Sequence, residues 1–225
     1  AAQEDSVLPL ADEPFVSDWD EFARMALHGG VPSTLRHTLR QVNFPIRQGI
    51  SEEQGYRASV FRGAAVPTDM PTDHLLDGAG IRLEITKSLA GRIPIITCPN
   101  RADFVFLVRA LTHRNEPVRI PESMGALLIS GYNNWARIEL QRDRHIAEHG
   151  VMGWPEAFKR LLKDKPRYQD RLIVVSEGPY SGVSAASLGL DEQQWLDYSL
   201  RIRVAHECTH YFSRRFFSSM RDNLF

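Results

Sequence analysis

Several things are scarce in this chain of 225 residues, and each scarcity excludes a class. It has only two cysteines, Cys98 and Cys208. They are too few for a disulfide framework and do not share a metal-ligand spacing, so a reducing, cytoplasmic setting is expected. Neither sign of charge dominates: 27 basic against 28 acidic residues give a formal net charge of -1, with a pI near 6.8. That balance gives no electrostatic footprint for nucleic acid or for an acidic membrane surface. No stretch approaches the roughly 20 apolar residues that span a bilayer. Residues 1–10 lack the basic start and apolar middle of a secretory signal, and the absence of an initial Met leaves a removed leader open. There is no internal repeat and no low-complexity tract, and nothing bears on oligomeric state.

What is present is an ordinary globular composition, 43% hydrophobic and 24% charged, enough to bury a core. Residues 1–16 are polar and acidic and read as a loose arm that packs only at its end. A helical region follows over 17–77: a helix opened by Ser17 and closed by Gly29-Gly30, a short one over 33–42, and a third over 51–62. The Pro-, Asp- and Thr-rich stretch 64–77 is the best internal boundary. Beyond it, over 78–225, strand-like runs appear. Residues 81–85 alternate as a half-buried strand does, 93–97 are β-branched, 125–130 read as a buried strand, and 171–176 form the clearest strand. Helices are expected at 100–112 with Asn100 as cap, at 135–149 with Asn133 or Asn134 as cap, and at 155–165. Asp191 to Gln194 has capping-box spacing, Leu190 and Trp195 stand where a hydrophobic staple belongs, and the helix they open runs to about Met220. The expectation is an α+β fold: a helical N-terminal part, a small mixed sheet and a long C-terminal helix.

That last helix carries His206-Glu207-Cys208-Thr209-His210 in its middle. Histidines four apart lie on one helix face, so His206 and His210 can both direct a ring nitrogen at one zinc ion at about 2.0 to 2.1 Å. Zinc brings the pKa of a water toward 7, and Glu207, beside the first ligand, can take its proton as the oxygen attacks a carbonyl. This is why the H-E-x-x-H spacing reads as a hydrolase site.

On those five residues the chain resembles the zincin superfamily of metallopeptidases. The resemblance implies His206 and His210 as zinc ligands, Glu207 as general base, a peptide or protein substrate, and an edge strand, here 171–176, that holds extended substrate. The metzincin extension is excluded, because its Gly would fall at Ser213 and its third His at Phe216. Thermolysin-like gluzincins take a third ligand, a Glu, some twenty or more residues beyond the second His. Here only residues 211–225 remain, and Asp222 is their sole carboxylate. In one continuous helix Asp222 would sit about 18 Å along the axis from His210, so it can ligate only if the chain reverses near residues 217–220. Residues 206–224 also resemble bacterial proteins with an HECTHYF-type helix followed soon by an Asp-Glu segment. The chain therefore reads as truncated inside a larger fold, with its third ligand either Asp222 or beyond Phe225. The alternative from another class is a non-catalytic, zincin-shaped binding or regulatory protein.

Other signals carry less. His145-Ile146-Ala147-Glu148-His149 matches the inverted H-x-x-E-H motif, but it occupies the last turn of its helix, where histidines suit the free carbonyls and the dipole. Cys208 lies on a different helix face from the zinc and reads as a packing residue. Tyr180, Tyr198, Arg203 and Tyr211 are candidates to stabilise a transition state. Arg214 and Arg215 read as dipole complements late in the helix.

Overall fold

Phe15, Val16, Trp19 and Phe22 recur at helical spacing and are all but inaccessible, so the helix they build, α1 (Phe15–Gly29), lies on the core. The computed structural model describes residues 7–67, 74–75 and 77–217. In it α1 starts two residues before the expected Ser17 cap. Pro14 occupies the cap position without a side-chain cap bond, and Ser17 donates its hydroxyl back to the Pro14 carbonyl. Burial of Phe15 and Val16, not a cap, sets this end. α2 (Val31–Thr38) follows, then a short 3-10 turn. In place of the third helix expected over 51–62 there is one turn, α3 (Gln54–Tyr56), running into a π-helical turn at Arg57–Phe61. The boundary stretch 64–77 lies partly outside the described residues.

The sheet begins with a hairpin, β1 (Arg82–Ser88) against β2 (Gly91–Cys98). α4 (Arg101–Thr112) is capped by Asn100, whose side chain accepts from the Asp103 N–H. β3 (Ala126–Asn133) leads into α5 (Trp135–His149), where Asn134, rather than Asn133, is the cap and accepts from the Ala136 N–H at 3.0 Å. α6 (Trp154–Leu161), β4 (Gln169–Ser176) and the long α7 (Glu192–Phe216) complete the described chain. The fold is α+β, a four-stranded mixed sheet of order β1-β2-β4-β3 with helices around it. No helix among the described residues is long and apolar enough to cross a membrane.

One expectation is overturned here. β4 is not an edge strand: it pairs parallel with β2 and antiparallel with β3. The reason is in its sequence, since Leu172, Ile173, Val174 and Val175 are each 0% exposed, and a run buried on both faces belongs inside a sheet. The edge beside α7 is β3.

A charged cluster ties the helices to the sheet. Arg137, 1% exposed, donates from Nε to Asp18 at 2.8 Å and from a terminal nitrogen to Asp170 at 2.6 Å. Asp170, 0% exposed, also accepts from Trp19 and Asn134, each at 2.7 Å. Burial pushes the Asp170 carboxyl above its ordinary range, against the pull of the guanidinium. α1, α5 and β4 thus meet at ionic groups shielded from water.

Candidate metal centre

α7 is fastened at both ends, which leaves its middle to present chemistry. At the start, Asp191 accepts from the Gln194 N–H at 2.9 Å, and Trp195 is buried with its indole N–H on the Val183 carbonyl. The Ser199 hydroxyl accepts from the Tyr180 N–H. Toward the end, the buried Tyr211 donates to Glu13 at 2.9 Å, and Arg215 donates to the Ala11 and Ala90 carbonyls. Glu13 belongs to the N-terminal arm, which packs at its end: the Leu10 N–H donates to Leu89, and Asp12 pairs with Arg92.

Between these anchors the two histidines face one another. The Nε2 atoms of His206 and His210 stand 3.0 Å apart, with ring centroids at 4.6 Å and planes at 83°. A tetrahedral zinc with Zn–N near 2.0–2.1 Å separates two nitrogens by about 3.4 Å, so the pair stands close to chelating geometry. The same separation lets one neutral imidazole donate to the other.

Glu207 points inward. It is 7% exposed, and its Oε2 accepts from the backbone N–H of Leu128 at 2.7 Å. Leu128 lies on β3, whose outer edge pairs with no further strand among the described residues, so the carboxylate satisfies an edge donor and is itself held in place. Arg203, His206 and Glu207 of α7 line one wall of a cleft of about 290 Å³, with Gly125, Ala126 at the start of β3, and Tyr180 on its other sides. Arg203 clamps the loop after β4, donating to the carbonyls of Ser176, Gly178 and Pro179. Its guanidinium lies 5.8 Å from the Tyr180 ring, and burial lowers its pKa from the ordinary value.

Gly125 is required by this clamp. A Cβ there would lie 2.5 Å from Arg203 Nε, and three carbonyl bonds hold the guanidinium. Gly125→Ala is expected to cost about 1–3 kcal/mol, seen as a lower midpoint in urea unfolding.

Of the four candidates for transition-state stabilisation, Tyr180 and Arg203 reach the cleft. Tyr211 does not, because it is buried against Glu13, and Tyr198 is 46% exposed elsewhere on α7. Cys208 turns to the opposite flank, toward a mostly apolar groove of about 700 Å³ between α7 and the β1–β2 hairpin. That larger groove contains neither histidine. Cys98 is fully buried, and burial raises both thiol pKa values. In native protein Cys208 is therefore expected to alkylate slowly and Cys98 only after denaturation, as a thiol count by mass spectrometry would register.

His145 and His149 pack ring against ring at 4.9 Å on α5, and His145 lines a separate cavity with Trp154 and Arg160. Neither is brought to His206. Among the described residues no group of three His, Cys, Asp or Glu side chains is placed to hold a metal. They supply two nitrogen donors, which suit zinc. Asp222 lies outside the described residues, as does the expected continuation of the helix to Met220; the described helix ends at Phe216.

These features define an α+β protein whose long terminal helix sets a histidine pair and a buried carboxylate beside a sheet edge. The chain belongs to a family of unknown function (DUF7005), whose model matches residues 1–225. No curated protein and no solved structure matches it.

Proposed function

We propose that the protein is a zinc-dependent, peptidase-like hydrolase. The observation that carries this reading is the convergence of the His206 and His210 nitrogens at 3.0 Å, next to the cleft that His206 and Glu207 both line. His206 and His210 would hold the ion, with the remaining ligand outside the described residues. Bound zinc supplies a positive charge that acidifies a water and polarises a carbonyl.

The chain's own groups do the rest. Leu128 fixes Oε2 of Glu207, and no hydrogen bond from the described residues claims Oε1, which is free to take a proton from a water in the cleft. Burial and a fixed rotamer suit a general base, since they remove the cost of reorienting it. Tyr180 stands across the cleft from α7, and Arg203 lies one turn before His206 on α7 itself. Arg203 is committed to three carbonyls, so its role is to hold the wall, which leaves Tyr180 as the candidate to meet a developing oxyanion. Peptide or protein is the proposed substrate class. A reducing, cytoplasmic setting goes with the free thiols of Cys98 and Cys208.

The test is hydrolysis of a mixed-sequence quenched fluorescent peptide library by the purified protein. Cleavage that a chelator abolishes and zinc restores supports the reading. Zinc binding with no cleavage of any peptide favours a non-catalytic binding protein.

A further inference from the structure

At the other end of β3 lies a second cavity, of about 550 Å³, with an uneven charge balance. Lys165, Arg171, Arg214 and Arg215 line it against two carboxylates, Glu13 and Asp170. Asp170 is already matched by the buried Arg137. Glu13 is saturated: Oε1 pairs with Arg171, while Oε2 accepts from Tyr211 and faces Arg215 at 3.9 Å. Among the described residues Arg214 donates only to the neutral Ser130 hydroxyl, at 3.0 Å. Among the described residues neither Arg214 nor Lys165 has a carboxylate partner. In a chain of net charge -1 this is a local cationic surplus, and a concave, partly enclosed site strengthens the attraction for an anion.

The backbone keeps the cavity open. β3 carries an irregularity between Ser130 and Tyr132, and Gly131 within it has φ +81°. A bulge with a glycine in that conformation bends the strand and adds no side chain to the mouth.

Its position relates it to the histidines. Arg203, His206, His210 and Arg214 follow at intervals of three, four and four, so they form one ridge along α7. The ridge runs from the 290 Å³ cleft to the 550 Å³ cavity. From His210 to Arg214 the helix rises about 6 Å, and an extended peptide advances about 3.3 Å per residue. We infer that the cavity is a subsite for a carboxylate of the substrate peptide, carried about two residues from the bond that faces the histidines. The carboxylate is either the peptide's own C-terminus or an Asp or Glu side chain. This rests on the peptidase reading for the identity of the ligand as a peptide; the charge asymmetry is independent of it.

The experiment uses the Glu207→Gln protein, to prevent turnover, and three N-acetylated tetra-alanine probes. One has a free C-terminal carboxylate, one is a C-terminal amide, and one is the amide with Glu at its third position. Calorimetric titration at low ionic strength is expected to show at least one carboxylate probe binding tenfold or more tightly than the neutral amide. The tighter of the two names the source. Arg214→Gln and, separately, Lys165→Gln should remove the preference, and both lie at the surface of the cavity, so misfolding of one leaves the other informative. Equal binding of all three probes, binding of none, or a preference that survives both substitutions overturns the inference. Zinc content measured on the same samples separates the two claims: a carboxylate preference without bound zinc leaves this subsite standing and removes the peptidase reading.

Discussion

Glu207→Gln is expected to lower peptide hydrolysis at least a hundredfold, the lower end of what a positioned general base contributes, while zinc content and melting temperature stay where they are. The separation of the two effects comes from the geometry. A glutamine oxygen can still accept from the Leu128 N–H that Glu207 holds at 2.7 Å, so the contact between α7 and β3 survives, but an amide takes no proton from water. Glu207→Ala differs, because it also strands a buried donor on β3 and should cost about 1–3 kcal/mol of stability. Unchanged hydrolysis in Glu207→Gln, measured on the same peptides, would show that the carboxylate is only a structural cap for the sheet edge.

The largest effect on folding is expected from Arg137→Met. Methionine fills part of the space but leaves Asp170, at 0% exposure, without its cation, and Asp18, at 2%, with only the half-exposed Arg144. Removing one partner of a buried pair costs about 3–5 kcal/mol, and in a chain of this size each kcal/mol moves the melting temperature about 2–4 °C. A fall of roughly 6–20 °C by calorimetry follows from these two relations. The exposed pair Arg142–Asp143 is the contrast, worth about 1 kcal/mol at most. A shift for Arg137→Met no larger than for Arg142→Met would mean that the buried cluster is not what joins α1 and α5 to β4.

Local rules made much of the fold legible. Asn100, Asn134 and Asp191 cap the helices whose starts they mark, and the four strands fall where β-branched or alternating runs stand. Two of the failures have a common cause in burial, which a linear reading does not see. Ser17 looks like a cap, but Phe15 and Val16 are pulled into the core and start the helix earlier. The run 171–176 was paired in expectation with one neighbour, and its four inaccessible residues instead demand two.

The candidate site divides in the same way. The spacing of His206 and His210 is enough to place them on one face, and Glu207 beside them is read directly. That Glu207 is bonded to Leu128, that Glu13 reaches from the arm to Tyr211, and that Lys165, Arg171, Arg214 and Arg215 share a cavity are all contacts over long sequence distances. Of the last of these the sequence shows only the adjacency of Arg214 and Arg215, which reads more simply as helix-dipole complementarity.

The central claim is that His206 and His210 hold zinc, and metal content tests it most directly. Purified protein, dialysed against a weak chelator, should carry one zinc per chain by plasma mass spectrometry, and His206→Ala and His210→Ala should each lose it while keeping the far-ultraviolet circular dichroism of the parent. Protein that retains no zinc, or variants that retain as much as the parent, would contradict the account.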